Sequence, residues 1–195
     1  TATSIWSQSL RGRTLALWTI WFCVNLSYYG AFIWIPSLLV ADGFSLVKSF
    51  SFTLIITLAQ LPGYAAAAWL IEVWGRRSTL ATFLVGSALS AGLYGFAGSE
   101  AMIILAGCLL SFFNLGAWGA LYVIGPELYP TALRGRGTGA AAGFGRLASI
   151  LAPLIVPPLI ATAGTGWLFV FFAAAFAIAA LAALSLPELK GTALA

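Results

Sequence analysis

The sequence contains no histidine and only 7% charged residues, and both scarcities limit its function. A soluble globular domain carries about 25% charged residues, so this chain of 195 residues cannot cover a water-facing surface. Without histidine, imidazole acid–base catalysis and imidazole metal ligation are excluded. These observations argue against a soluble enzyme, a nucleic-acid-binding protein and a disordered linker.

Cysteine is also scarce, with Cys23 and Cys108 as its two occurrences. Both lie inside apolar runs, where a small buried residue is expected rather than a disulfide or a metal site. The net charge of +4 does not indicate a nucleic acid partner, because the basic residues lie in short connections between apolar runs. We predict no cofactor and no metal.

What is abundant is apolar sequence, at 62% of the chain with a mean hydropathy of +1.02, so lipid is the expected solvent. A helix that crosses the hydrocarbon core needs about 20 mainly apolar residues. We therefore predict an all-α membrane protein with six transmembrane helices. The six apolar runs are 15–40, 50–71, 78–98, 101–125, 136–161 and 166–186.

The basic residues predict the orientation of these spans. Lys48 lies on one side of the membrane, Arg146 lies inside the fifth span, and the rest lie on the other side, which the positive-inside rule makes cytoplasmic. Both termini are then cytoplasmic, in the plasma (inner) membrane. We predict a cytoplasmic linker at 1–13, a six-helix unit at 14–188 and a cytoplasmic tail at 189–195. The predicted cytoplasmic basic residues are Arg11, Arg13, Arg76, Arg77, Arg134, Arg136 and Lys190.

Four of the six spans contain a strongly polar residue near their middle: Asn25, Gln60, Asn114 and Arg146. Such side chains are costly in lipid and normally face other helices or a watery cavity. We therefore expect the first, second, fourth and fifth spans to face a polar path, and the third and sixth to face lipid.

Arg146 lies about 15 Å along a helix from Arg136, which is roughly half the hydrocarbon thickness. It is predicted to bind an anionic substrate group or to pair with a gating carboxylate. The alternative is a structural arginine that bonds helix carbonyls.

Aromatic residues accompany the two asparagines on single helix faces. Tyr28 and Tyr29 follow Asn25 at helical spacing, and Trp118 follows Asn114 in the same way. This pattern suits a small ring-bearing or polyhydroxylated ligand. The alternative is that these rings anchor the helices at the membrane interface.

Two connections contain most of the charge. Residues 72–77 read E-V-W-G-R-R, and residues 126–137 read P-E-L-Y-P-T-A-L-R-G-R-G. Arginine and carboxylate form planar bidentate pairs, which can latch helix ends together in one conformation and release them in another. The alternative is that these arginines only determine the orientation of the helices in the membrane. The candidate latch residues are Glu72, Arg76, Arg77, Glu127, Arg134 and Arg136.

The fifth span also has glycines at four-residue spacing, namely Gly135, Gly139 and Gly143. Such G-x-x-x-G steps let a helix approach a neighbour closely.

These motifs resemble the C-terminal half of a major facilitator superfamily transporter. The acid followed by G-R-R at 72–77 is similar to the superfamily's charged loop, and 126–137 is similar to the sugar-porter signature. W-x-x-W-F at 18–22, Y-Y-G at 28–30 and G-x-W-G-x-L-Y at 116–122 resemble one branch in particular. That branch includes aromatic-acid, niacin and related organic-ion or sugar porters.

The resemblance implies two six-helix halves, each made of two inverted three-helix repeats, with substrate bound between the halves near the midplane. The implied partners are a small-molecule substrate, the lipid bilayer and an N-terminal six-helix half that this chain lacks. The residues expected to bind substrate are Asn25, Tyr28, Tyr29, Gln60, Asn114, Trp118 and Arg146.

We therefore expect a secondary active or facilitative transporter and not an enzyme. Arg146 favours an aromatic or pyridine carboxylate over a neutral sugar, although a sugar transporter of the same fold remains an alternative. A non-transporting six-helix channel or receptor-type module is a further alternative. Proton symport would need a carrier outside these spans, because no acidic residue lies within them.

Overall fold

The computed structural model describes residues 4–32, 34–41 and 43–186, and all regular elements within those ranges are α-helices. The prediction of an all-α protein is therefore confirmed. Asp42, Glu188, Lys190 and the predicted tail at 189–195 lie outside the described residues. The helices are α1 (Arg11–Ala31), α2 (Ile35–Ala41), α3 (Leu46–Leu58), α4 (Gln60–Val73), α5 (Arg76–Gly95), α6 (Glu100–Glu127) and α7 (Thr131–Leu184).

Gly164 divides α7 into two arms, Thr131–Gly164 and Gly166–Leu184. Its φ of 88° and ψ of 171° are not helical, and a glycine adopts such a conformation without a steric penalty from Cβ. The two arms correspond to the fifth and sixth predicted spans.

Five stretches of the described chain are long and apolar enough to cross a membrane. They match five of the six predicted spans. The third predicted span forms α5. This helix is not apolar enough to be counted among the five, because serine, threonine, glycine and its leading arginines lower its mean hydropathy. It nevertheless packs against α6 and α7. The five stretches are Arg11–Ser37, Leu46–Val73, Glu100–Glu127, Thr131–Gly164 and Gly166–Leu184.

Glycines mark the closest helix crossings. A Cβ built on Gly63 of α4 would lie 2.3 Å from the backbone oxygen of Phe112, so α4 and α6 cross almost backbone to backbone. A Cβ on Gly30 of α1 would lie 2.5 Å from the ring of Phe172 in the second arm of α7. Larger residues at these positions would force the helices apart.

The predicted G-x-x-x-G stripe does not take part in such crossings among the described residues. A Cβ built on Gly135, Gly139 or Gly143 meets no described atom within 4 Å, and all three glycines are exposed. The close approach on this arm occurs instead at Gly145, whose Cβ would lie 2.7 Å from Nδ2 of Asn25. The stripe therefore lies on an open face of the bundle.

Beyond Arg77 at its start, the large exposed side chains of α5 are apolar, and so are those of the second arm of α7, as expected for helices that face lipid. On α5 they are Val85, Leu89 and Leu93, and the exposed Phe96 directly follows the helix. On the second arm they are Trp167, Phe171, Ile178, Leu181 and Leu184.

Candidate functional site

Aromatic rings of α1 and α6 form one connected cluster, in which Trp21 and Trp118 are buried and Tyr122 is exposed. The indole of Trp118 meets Tyr28 at 5.0 Å, Trp21 at 6.2 Å and Tyr29 at 6.5 Å between ring centroids, in each case edge to face. Trp21 in turn meets Tyr122 at 5.4 Å. Edge-to-face pairs are each worth about 0.5–1.5 kcal/mol beyond burial, so the rings fix one another's orientation. We call Trp21, Tyr28, Tyr29, Trp118 and Tyr122 the aromatic wall.

Tyr64 extends the aromatic wall onto α4, and the sequence reasoning missed it. Its ring lies 3.0 Å from a Cβ built on Gly119, the neighbour of Trp118 in the sequence. Helical spacing could have found it, because Gln60 lies one turn earlier on the same face of α4. Gln60 itself is partly exposed.

Arg146 lies next to the wall on the first arm of α7. Its side chain is exposed, and Nη1 donates a hydrogen bond to the hydroxyl of Tyr29 over 3.0 Å. No acidic side chain in the described ranges forms an ion pair with it. The guanidinium therefore adds an uncompensated positive charge beside the aromatic rings.

Asn25 does not face this surface. It is 1% exposed, its Nδ2 donates to the backbone oxygen of Trp21 over 2.8 Å, and it packs against Gly145. Its amide therefore satisfies a carbonyl of its own helix at the contact between α1 and α7.

Asn114 is enclosed as well, at 0% exposure. Neither its amide nitrogen nor its amide oxygen has a hydrogen-bond partner among the described residues. A buried polar group left in this state costs about 1–3 kcal/mol. Of the four polar residues predicted near mid-depth, Gln60 and Arg146 thus reach the surface, while the two asparagines lie beneath it.

A second cluster joins the helix ends at the opposite end of the bundle from Lys48. The Nε of Arg76 donates to both carboxylate oxygens of Glu127, at 3.2 and 3.0 Å, and both side chains are 12% exposed. Its Nη1 donates to the backbone oxygen of Ile71 at 3.2 Å, and Nη2 to Glu72 at 3.4 Å. One guanidinium therefore holds the ends of α4, α5 and α6 together.

The turn before Arg76 depends on Gly75. Its φ of 93° lies in a region that strongly favours glycine, and it reverses the chain between α4 and α5. The G-R-R motif therefore combines a turn residue with the arginine that bridges to the second motif.

Arg134 donates to backbone carbonyls near the end of α6. Its Nε donates to the backbone oxygen of Pro126 at 2.7 Å, and Nη2 to that of Tyr129 at 3.1 Å. Arg13 of α1 donates to the backbone oxygen of Leu128 at 2.7 Å. Cations placed on the last carbonyls of a helix stabilise its end. Both arginines therefore cap α6, whereas Arg77 and Arg136 are exposed.

The packing of Tyr129 accounts for two residues of the 126–137 motif, the tyrosine itself and Gly137. A Cβ on Gly137 would lie 2.5 Å from the ring of Tyr129, so only glycine leaves room for it. The Tyr129 hydroxyl shares a 2.9 Å hydrogen bond with that of Thr14. Burial raises the pKa of Tyr129, although the Thr14 hydrogen bond and the charge of Arg13 lower it. The hydroxyl is therefore neutral near pH 7, and α1 is bonded directly to the motif.

Comparison with known proteins places this arrangement in a family. The model of the sugar (and other) transporter family matches residues 1–195. The niacin transporter NiaP of Acinetobacter baylyi is 52% identical over 152 residues, which cover 78% of this chain and 35% of that protein. A Bacillus subtilis protein named as a niacin/nicotinamide transporter, NiaP, is 51% identical over 158 residues, covering 81% of this chain and 40% of that protein.

The inner membrane metabolite transport protein YdjE of Escherichia coli is 30% identical over 172 residues, covering 87% of this chain and 38% of that protein. The chain thus spans about two fifths of the length of these relatives. The names of the relatives and of the family describe membrane transporters and not enzymes. The chain therefore belongs to the sugar (and other) transporter family of the major facilitator superfamily, which confirms the resemblance read from its motifs.

Proposed function

We propose that this chain is the C-terminal helical half of a transporter that carries a small aromatic or pyridine carboxylate across the plasma membrane by alternating access. The observation that carries this proposal is the exposed guanidinium of Arg146 on the hydroxyl of Tyr29, beside the aromatic wall. A cation at this depth is costly unless it faces water or an anion. Rings supply a stacking surface, and the guanidinium supplies a bidentate partner for a carboxylate.

The names of the relatives support this substrate class. Niacin is a pyridine carboxylate, and both relatives above 50% identity are named for niacin, although the name of the Bacillus subtilis protein also includes the neutral amide nicotinamide. A pyridine carboxylate has both features that the proposed site would recognise, a planar ring and an anionic group. A sugar would use the wall but not the charge of Arg146.

We propose that a second helical bundle covers the open face of α1, α4, α6 and the first arm of α7. The relatives are long enough to contain one, because this chain covers at most 40% of their length. In this arrangement the aromatic wall and Arg146 form one side of a binding site that the second bundle completes.

The Arg76–Glu127 pair is proposed as the latch at the cytoplasmic end, which closes in one state of the transport cycle and opens in the other. Both termini would then be cytoplasmic. The described acidic residues Glu72, Glu100 and Glu127 all lie at helix ends, so a proton carrier for symport would belong to the remainder of the transporter.

Counterflow in proteoliposomes that contain the full-length protein tests the substrate class. Vesicles preloaded with nicotinate should transiently accumulate labelled nicotinate, and benzoate should compete. Nicotinamide is the matched neutral control, and loss of a charge-assisted hydrogen bond should weaken its competition by about tenfold or more. Glucose counterflow without carboxylate counterflow would contradict the proposal, and so would a flux that does not saturate, which indicates a channel.

A further inference from the structure

A cavity of about 280 Å³ lies between α1, α6 and the first arm of α7. Two rings of the aromatic wall, Trp21 and Tyr122, form its sides. Gly125, Gly139 and Ala142 contribute small residues to its lining. Its volume is just below the range of about 300–1,000 Å³ that is usual for small-molecule pockets.

The cavity lies one helical turn below the level of Arg146, toward the end of the bundle that contains the Arg76–Glu127 pair. Ala142 lies one turn before Arg146 on α7, and Tyr122 lies one turn beyond Trp118 on α6. One turn corresponds to about 5.4 Å along the helix axis. A planar molecule whose carboxylate is bound by Arg146 therefore has its ring within reach of the cavity.

The sides of the cavity suit an aromatic ring. The rings of Trp21 and Tyr122 stand at 80° to each other with centroids 5.4 Å apart, so they form a corner rather than a flat stack. Besides Tyr122, the hydroxyl residue of the lining is Thr138, and its Oγ1 already donates to the backbone oxygen of Arg134 at 2.8 Å. The surface offered to a ligand is therefore mainly apolar.

The two glycines of the lining are not required by packing within the described chain. A Cβ on Gly139 would meet no described atom within 4 Å, and one on Gly125 would meet only Cγ2 of Thr138, at an ordinary 3.5 Å. By contrast, a Cβ on Gly63 or Gly145 would collide with a neighbouring helix. The missing side chains at Gly125 and Gly139 leave space in the cavity.

We propose that this cavity, the ring slot, receives the ring of the substrate, and that Gly125 and Gly139 leave the room that a single aromatic ring needs. The inference rests on the proposed function, because Arg146 is taken to hold the carboxylate. The ligand class is a one-ring aromatic carboxylate whose ring edge opposite the carboxylate carries no polar substituent.

The first test fills the slot in the full-length transporter. Gly139→Val should raise the KM for nicotinate by about tenfold or more, since one or two methylene groups in an apolar pocket change discrimination by about 10–200-fold. Gly143→Val is the matched control on the same exposed stripe, one turn away and outside the slot, and should change KM by less than about twofold. Equal changes in the two variants, or none in either, would overturn the inference.

The second test enlarges the slot. Tyr122→Ala removes an exposed ring from one side and should let quinoline-3-carboxylate, a two-ring probe, compete with nicotinate at least about tenfold better than in the wild type. Unchanged discrimination between the two probes would overturn the ring slot. Absence of saturable nicotinate uptake in the wild type would instead overturn the proposed function, so the two failures are distinguishable.

Discussion

Replacing Glu127 with glutamine is expected to lower the initial rate of nicotinate counterflow by about a hundredfold or more. The carboxylate accepts both hydrogen bonds from Nε of Arg76, and the two side chains are only 12% exposed. Removing one partner of a largely buried ion pair costs up to about 3–5 kcal/mol, and the exposed Glu72 at 3.4 Å compensates little of the charge left on Arg76. In a cycle that alternates between latched and open states, the variant would destabilise the latched state by that amount.

The matched control for this experiment is Glu72→Gln. Glu72 also pairs with Arg76, but over 3.4 Å and with a side chain that is 69% exposed, so water screens the pair. Its replacement should change the rate by less than about threefold. The charge-reversed double variant Arg76→Glu with Glu127→Arg should recover part of the activity. Equal losses in Glu127→Gln and Glu72→Gln would contradict a latch role for the buried pair.

Arg146→Ala is expected to raise the KM for nicotinate by about ten- to a hundredfold, because a hydrogen bond to a charged group is worth about 1.5–3 kcal/mol. Arg146→Lys keeps the charge but loses the bidentate geometry and should fall between the alanine variant and the wild type. Initial rates of uptake over a range of nicotinate concentrations separate KM from the maximal rate.

Arg11→Ala controls for the loss of one positive charge, because Arg11 is exposed at the start of α1, far along the helix from Tyr29. Its KM should stay within about twofold of the wild type. An unchanged KM for Arg146→Ala would remove the argument for an anionic substrate. If Arg146→Ala weakened competition by nicotinamide as much as competition by nicotinate, Arg146 would instead have a structural role.

Much of the fold follows from the sequence, because hydrophobic length decides where a helix can cross lipid. The sequence also predicts which side chains share a face of one helix. Tyr28 and Tyr29 follow Asn25, and Trp118 follows Asn114, at spacings that geometry fixes. The pairing of the two charged motifs followed from their chemistry, since arginine and carboxylate seek each other at a helix end.

The sequence could not predict how each helix is rotated within the bundle. Asn25 lies near the middle of the Arg11–Ser37 stretch, yet it packs against Gly145 instead of facing the open surface, because the crossing of α1 and α7 determines its direction. Helical spacing from Gln60 could have placed Tyr64 on the same face of α4, but its contact with Gly119 of α6 depends on how the two helices pack. That Arg76 reaches Glu127 while Arg134 caps carbonyls depends on the same three-dimensional packing.

Cysteine accessibility in the full-length protein tests the central claim most directly, namely that one face of this bundle is watery and another is lipid-facing. In a background with Cys23→Ala and Cys108→Ala, single cysteines would replace Tyr64 or Tyr122 on one face and Leu89 or Leu181 on the other. Tyr122, Leu89 and Leu181 are similarly exposed in the bundle, at 62%, 72% and 70%, so exposure alone does not separate them. The account predicts that a charged, membrane-impermeant thiosulfonate labels positions 64 and 122, that nicotinate protects them, and that positions 89 and 181 stay unlabelled. Labelling of positions 89 and 181 with positions 64 and 122 inert would contradict it.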